Sequence, residues 1–276
     1  MEIKKVMVIG GAGYVGSALV PSLLKNGYEV TVYDLYWYGN VFSDINNPKL
    51  KQIKADIRDK EKLIKAAKGQ DAIIHLACIS NDPSFDLNPE LGKSINLDAF
   101  PNVLEAAKSN NVKRFIYASS SSVYGIKDEL NVTEESTPEP LTDYSKYKLE
   151  CEKILKKDAG NLNYVIVRPA TVCGYSPRVR LDVVVNILTI NGLVNKKIKI
   201  FGGKQLRPNL NIKDMVSAYL LLLSTPLEKI NRQIFNIGYE NYQVEEIGKM
   251  VQKVINDASL EYVETNDNRS YHVNSD

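Results

Sequence analysis

Val6-Met7-Val8-Ile9-Gly10-Gly11-Ala12-Gly13-Tyr14-Val15-Gly16 is a short apolar, β-branched run that meets spaced glycines and then a helical pattern. The run predicts a buried strand, the glycines a tight turn, and Tyr14 onward a helix. Gly10 permits the turn, Gly13 lets backbone N–H groups approach a pyrophosphate, and Gly16 allows close helix–strand packing. Tyr14 and Val15 open the helix, whose N-terminus carries the partial positive charge that phosphates seek. Strand, turn and helix in this order predict a dinucleotide site.

Outward from that unit, β-branched runs alternate with longer helical patterns, the rhythm of parallel strands joined by crossover helices. Strands are expected at Val6–Ile9, Glu29–Tyr33, Lys51–Lys54, Ala72–Leu76, Arg114–Ala118 and Tyr164–Val167. Helices are expected at Tyr14–Asn26, Lys60–Lys68, Leu97–Ser109 and Tyr144–Asp158. The fold class is α/β, a Rossmann-like doubly wound parallel sheet over residues 1–168. After Pro169, the residues Pro177, Gly192, Gly202, Gly203, Pro208 and Pro226 punctuate shorter elements. Residues 169–276 are therefore expected to form mainly a smaller lobe, packed at the sheet's C-terminal edge where open α/β sheets take ligands.

Asp34 ends the second expected strand, where a carboxylate accepts hydrogen bonds from both hydroxyls of an adenosine ribose. A 2′-phosphate there would meet like charge, so Asp34 argues for NAD over NADP. Asp56-Ile57, after the third strand, is open to two readings: contact with the adenine edge, or Asp56 as a cap for the helix near Lys60. Tyr144 and Lys148 stand one helical turn apart and share a face. A tyrosine ionises near pH ~10 when unperturbed, so acid–base work near neutrality needs a positive charge beside it. Lys148 supplies one. Ser119-Ser120-Ser121-Ser122, after an expected inner strand, offers a hydroxyl to hold a reacting alcohol; its bland reading is a polar strand end. His75 reads as a hydrogen-bonded strand-end residue rather than a catalyst.

Composition narrows the field. With 35 Lys+Arg against 33 Asp+Glu in 276 residues, the net charge of +2 gives no footprint for nucleic acid. Two histidines, His75 and His272, and three scattered cysteines, Cys78, Cys151 and Cys173, make neither a zinc cluster nor a disulfide framework, so no metal is expected and a reducing compartment is. The apolar run at the start ends at Gly10, too short for a signal-peptide core, and Tyr219–Leu223 falls far below the roughly 20 residues that span a bilayer. A cytoplasmic protein without membrane attachment is the expectation.

Several segments in order carry a resemblance. Gly10–Gly16, His75-Leu76-Ala77, Ser120-Ser121-Ser122-Val123-Tyr124-Gly125, Tyr144-Ser145-Lys146-Tyr147-Lys148 and Arg168-Pro169 together resemble the extended short-chain dehydrogenase/reductases that act on nucleotide sugars, the NAD-dependent epimerase/dehydratase group. The resemblance spans nearly the whole chain. It implies Tyr144 as acid/base, Lys148 as the holder of the nicotinamide ribose, and Ser120 as the group that orients the sugar hydroxyl. Ser120 is chosen because it lies three residues before Val123-Tyr124-Gly125. Ser119 then stands nearer the nicotinamide, with Leu76 and Ala77 along the cofactor. The 4,6-dehydratases of this group carry Asp-Glu where Ser121-Ser122 stand here, which argues against elimination of water. Many epimerases have Asn where this chain has Thr171.

For the substrate, the resemblance points to Arg207 and Arg269 on the diphosphate, Phe201 near the nucleotide base, and Ser121 and Thr171 at the sugar. Asp82-Pro83-Ser84 lines the sugar pocket or is only a turn. The group continues past the Arg269–Val273 segment into a further helix and tail, so the substrate lobe is expected to be incomplete at Asp276. The implied reaction is NAD-dependent oxidation and reduction at a sugar carbon, C4, of a nucleotide sugar, with epimerisation as its outcome. Alternatives are a 4-dehydrogenase or 4-ketoreductase and, from another class, an inactive protein that senses dinucleotide. The resemblance also implies a homodimer, joined through the helices at Leu97–Ser109 and Tyr144–Asp158.

Overall fold

The computed structural model describes residues 2–80, 82–127 and 132–264. Its first half alternates as expected: β1 (Lys5–Ile9), α1 (Tyr14–Lys25), β2 (Glu29–Asp34), β3 (Leu50–Lys54), α2 (Lys60–Ala67), β4 (Ala72–His75), α3 (Asp82–Leu87), α4 (Pro89–Lys93), α5 (Phe100–Ser109), β5 (Arg114–Ala118), α6 (Asp143–Asp158) and β6 (Tyr164–Pro169). Then come β7 (Thr171–Cys173), α7 (Val184–Asn195), β8 (Lys197–Phe201), β9 (Leu206–Asn211), α8 (Ile212–Ser224), α9 (Leu227–Ile230), β10 (Ile234–Ile237), β11 (Glu240–Gln243), α10 (Val244–Val254) and β12 (Ser259–Val263). The helix expected from Leu97 starts at Phe100 instead, after a π-helical turn over Ser94–Asp98. Pro101 explains the delay: it lacks an N–H and sits comfortably only in a helix's first turn.

The main sheet is parallel, in the order β10-β6-β5-β4-β1-β2-β3. Alternation along its strands feeds two cores. Met7, Ile9, Ile73, Phe115, Tyr117, Tyr164 and Ile166 face α2, α5 and α6. Val6, Val8, Val30, Val32, Ile74, Ile116, Val165 and Val167 face α1 and α8. Fully buried Leu19 and Leu23 of α1 each gain roughly 1.5–3 kcal/mol by leaving water. The strand order reverses between β1 and β4, and that switch point opens a crevice at the strands' C-terminal ends.

The remaining elements form a smaller body, with β11-β9-β7 as one sheet and β12-β8 as another. Leu188, Ile198, Ile200, Ile247 and Val251 make its core. The chain crosses the expected division after residue 168 twice. Helix α8 returns to pack on α1, and β10 pairs in parallel with β6 to extend the main sheet. An edge strand of six-residue β6 needs a partner for its open backbone groups, and the nearest chain able to supply one lies past the boundary. No helix of the described residues is long and apolar enough to cross a membrane.

Candidate active site

A cleft of about 950 Å³ runs along the C-terminal ends of β1, β2, β4, β5 and β6 and on between the two bodies. At the switch point, β1 enters Gly10, whose φ of +80° is left-handed and whose added Cβ would stand 2.4 Å from the Ala77 nitrogen. A side chain there would drive apart the ends of β1 and β4. Gly10 N–H donates to the Tyr33 carbonyl at 2.8 Å. Gly13 is the N-cap of α1 and has no side chain to satisfy the first N–H groups. A Cβ on it would meet only the Gly10 carbonyl, at 3.3 Å, and would otherwise fill ligand space. Gly16 abuts Gly11 rather than a strand side chain, with the Gly11 oxygen 2.3 Å from an added Cβ.

Asp34 closes the same corner. Its Oδ2 accepts from Ala12 N–H at 2.9 Å and its Oδ1 from Tyr36 N–H at 2.7 Å. A carboxylate has about four acceptor positions, so lone pairs remain for a diol. A glycine-lined cradle, uncapped helix N–H groups and a carboxylate opposite together fit a dinucleotide's pyrophosphate and adenosine ribose. Farther along, Ile57, Leu76 and Ala77 line the cleft. Asp56 lines it too, but its carboxylate is clasped by Arg58, with Nε at 3.0 Å from Oδ1 and NH2 at 2.6 Å from Oδ2. The helix near Lys60 is capped by Asp59, which accepts from Lys62 N–H at 3.1 Å, so the capping reading of Asp56 is corrected. The capping position lies immediately before the first helical residue, and Asp56 is three residues too early.

At the other end, α6 presents Tyr144 and Lys148. Thr142 and Ser145 form a reciprocal capping box that fixes where this helix starts. Lys148 is buried and donates to the Ala118 carbonyl at 2.6 Å, with its Nζ 5.8 Å from the centre of the Tyr144 ring. Ser120 is an extended residue just past β5, and its Oγ accepts from Ser122 N–H at 3.2 Å and Ser122 Oγ–H at 2.9 Å. Two donors into Ser120 Oγ leave its own proton to point elsewhere, and Ser120 and Tyr144 both line the cleft. Burial pushes the Tyr144 phenol above its ordinary value; Lys148, Ser120 and Arg180 pull the other way, and Cys78 adds to the rise. Burial also works against the Lys148 charge, yet Cys78, Tyr144 and Cys151 around it leave its pKa raised, so it stays an ammonium.

Ser119, one residue earlier, lines the cleft but spends its hydroxyl proton on the buried Glu152 of α6. Ser121, Thr171, Phe201 and Arg207 all line the cleft as well. Arg207 also turns its NH1 to the Leu206 carbonyl at 3.0 Å. Tyr14 and Val15 line it at the start of α1, and the Tyr14 hydroxyl donates to the Gly174 carbonyl at 2.7 Å, tying α1 to the second body. Asp82 begins α3, its side chain outside what is described; Ser84 lines the cleft. Arg269 lies outside the described residues. No group of three or more His, Cys, Asp or Glu placed to hold a metal occurs among the described residues.

Three features of the cleft were not anticipated from sequence: Arg58, which fixes Asp56; Cys78, beside Lys148; and the loop pair Arg178 and Arg180. Arg178 stacks on Tyr38 with its guanidinium 3.6 Å from the ring centre. Arg180 pairs with Asp182, Nε to Oδ1 at 3.0 Å. The clustering of basic residues in Pro177-Arg178-Val179-Arg180-Leu181-Asp182 was the available signal, but a loop charge without a strand or helix to orient it points nowhere in particular.

Comparison with known proteins places this arrangement. The sequence model of the NAD dependent epimerase/dehydratase family matches residues 6–238. A UDP-glucose 4-epimerase of Lactobacillus helveticus is 30% identical over 272 residues, covering 90% of this chain and 81% of that one. Among solved structures, UDP-N-acetylglucosamine 4-epimerase of Methanobrevibacter ruminantium superposes with a TM-score of 0.89 at 27% identity, covering 100% of this chain and 90% of that one. UDP-glucuronic acid 4-epimerase of Bacillus cereus, solved with UDP-glucuronic acid and NAD, gives 0.87 at 30% identity, over 99% and 90% of the two chains.

Proposed function

The chain belongs to the NAD dependent epimerase/dehydratase family, and from that premise we propose that it inverts the configuration at C4 of a nucleotide sugar. The observation that carries the reading is the single cleft that joins a glycine cradle and Asp34 at one end to Tyr144, Ser120 and Lys148 at the other. Gly10, Gly13 and the N-terminus of α1 hold the pyrophosphate, and Asp34 holds the adenosine ribose. Bound NAD supplies the acceptor, and after reduction the donor, of the hydride at C4.

In this reading Tyr144, as phenolate, takes the proton of the C4 hydroxyl while Ser120 holds that oxygen in line. The positive charge of Lys148 opposes the burial that keeps the phenol protonated, and its ammonium anchors the nicotinamide ribose. The 4-keto sugar then turns over within the cleft, so that C4 regains hydride on its other face while Tyr144 returns the proton to the C4 oxygen. Thr171 and Ser121 contact the sugar; Phe201 and Arg207 take the nucleotide and its diphosphate. Ser121-Ser122 put no carboxylate pair beside Ser120, which favours epimerisation over elimination. The working unit is a homodimer joined through α5 and α6.

Tyr144→Phe tests the assignment. It removes one oxygen and no bulk, so the variant keeps NAD affinity while turnover falls by roughly 10²–10⁴-fold. Incubation with a panel of nucleotide sugars, with product stereochemistry read by NMR and absorbance at about 340 nm tracked for net redox change, identifies the outcome. Inversion without net change in cofactor supports the epimerase; stoichiometric change indicates a dehydrogenase or ketoreductase. Unchanged turnover in the variant removes Tyr144 from the mechanism.

A further inference from the structure

Tyr144 does its proposed work only if its phenol ring holds one orientation, and two side chains reach that ring. Lys148, one turn along α6, places its Nζ 5.8 Å from the ring centre. The other is Phe85 of α3, whose ring meets Tyr144 edge to face, with 6.3 Å between centres and 66° between planes. That geometry lies within the range where aromatic pairs attract. Phe85 also reaches the Tyr147 ring at 5.9 Å. It is 4% exposed, although α3 has only six residues and ends at Leu87, which is 87% exposed.

The seat of Phe85 is specified from a second direction. Gly92 lies within the helical stretch that runs from α4 through the π-helical turn into α5, where glycine is among the poorest helix formers. A Cβ at that position would stand 2.5 Å from Phe85 Cε1 and 2.6 Å from Cδ1. The chain gives up helix propensity there, and the room is taken by the Phe85 ring. In this way α3 packs on both α4 and α6, while Ser84 and Leu87, to either side of Phe85 in sequence, line the cleft.

An edge-to-face contact resists tilting of the partner ring, because the attraction between a ring edge and a π face depends on the angle between them. Proton transfer in turn needs the phenol oxygen held close to its productive position. A flexible side chain of similar volume, such as methionine, fills the same space without giving that resistance. We propose that Phe85, seated in the room that Gly92 leaves, is a positioning residue for the reaction: its ring fixes the orientation of the Tyr144 phenol, and it acts through that phenol alone. This rests on Tyr144 being the acid/base of the nucleotide-sugar reading.

The test measures turnover of UDP-glucose, UDP-N-acetylglucosamine and UDP-glucuronate by the NAD-loaded protein in the wild type, Phe85→Met, Phe85→Leu and Gly92→Ala. Both Phe85 variants lower kcat by about tenfold while KM and NAD affinity stay within about twofold. Gly92→Ala displaces the ring rather than removing it and gives the same signature, and it adds nothing in the Phe85→Leu background, where the overlap is gone. In a Tyr144→Phe background Phe85→Met loses its effect on the residual turnover. A merely structural role predicts otherwise: methionine, by filling the space, restores kcat. Circular dichroism checks each fold, and Phe85→Met, the closest in volume, decides if Phe85→Leu or Gly92→Ala does not fold. A Phe85→Met kcat within about twofold of the wild type, or a loss that persists undiminished in the Tyr144→Phe background, overturns the proposal while leaving the epimerase reading intact. If Tyr144→Phe itself turns over as fast as the wild type, or the wild type turns over none of the three sugars, the acid/base role of Tyr144 loses its support and the proposal is overturned with it.

Discussion

His75 ends β4 with its ring packed beside both Phe100 and Tyr117, at centroid distances of 5.8 and 5.9 Å, and does not line the cleft. Burial, helped by the Lys148 charge, pulls its pKa from 6.5 down to about 3. The imidazole is therefore neutral in the folded chain through the range where the unfolded chain takes up a proton. Its contribution to stability is complete above pH ~6.5 and is lost as the pH falls from there toward about 3. Between pH ~6.5 and ~5 this removes roughly 2 kcal/mol. Urea unfolding over that interval should show the loss in the wild type and not in His75→Phe; an equal acid slope in both would place the titration elsewhere. The sequence reading of His75 as a hydrogen-bonded strand-end residue is corrected in part: the ring is buried at the strand end, but its Nδ1 has no hydrogen-bond partner among the described residues, because aromatic rings rather than polar groups pack beside it. Its packing beside two rings was not legible in the sequence, because Phe100 and Tyr117 come from other elements.

At the scale of elements, α6 does more than its Tyr-x-x-x-Lys spacing announces. Tyr144, Lys148 and Glu152 recur every four residues and share a face, so the helix that presents Tyr144 and Lys148 to the cleft also drives a carboxylate into the core. Glu152 and Arg168 of β6 are 1% and 2% exposed and pair at 2.7 Å between Oε2 and NH2. Arg168 NH1 continues to the Tyr124 hydroxyl at 2.9 Å, and Tyr124 donates to Asn236 of β10 at 2.7 Å. Ser119 joins the same group through Glu152. The network ties α6, the end of β5, β6 and β10 together. Glu152→Ala strands a buried guanidinium and should cost about 3–5 kcal/mol by urea titration. A loss under about 1 kcal/mol would mean that water reaches Arg168. The sequence showed Arg168-Pro169 only as part of a resemblance, since a buried ion pair leaves no periodic trace.

At the scale of the molecule, the cleft exists because the chain leaves the main sheet at β7, builds the smaller body, and returns through α8 and β10. The proposed dimer uses the opposite face of the sheet. On α5 and α6 the exposed residues include Lys108, Lys146, Glu150, Lys153 and Lys157, a mixture of signs that a two-fold axis can set against itself. Light scattering should give twice the 30.9 kDa chain mass. Charge reversal at Lys153 and Lys157 should lower it toward the monomer without abolishing NAD binding, and a wild-type monomer at micromolar concentration would refute the assembly.

By itself the sequence determined the α/β alternation, the glycine turn with Asp34 opposite, and the Tyr144–Lys148 face. Each of these depends on spacing within one element or between neighbours, and strand and helix periods convert such spacing directly into direction. Only the tertiary structure decided what the loops do: Arg58 on Asp56, Ser119 on Glu152, Arg178 on Tyr38, and β10 inside the first sheet. Those outcomes depend on contacts between residues far apart in the chain. A charged loop residue finds its partner only after the cores on both sides of the sheet have fixed where the loops can reach.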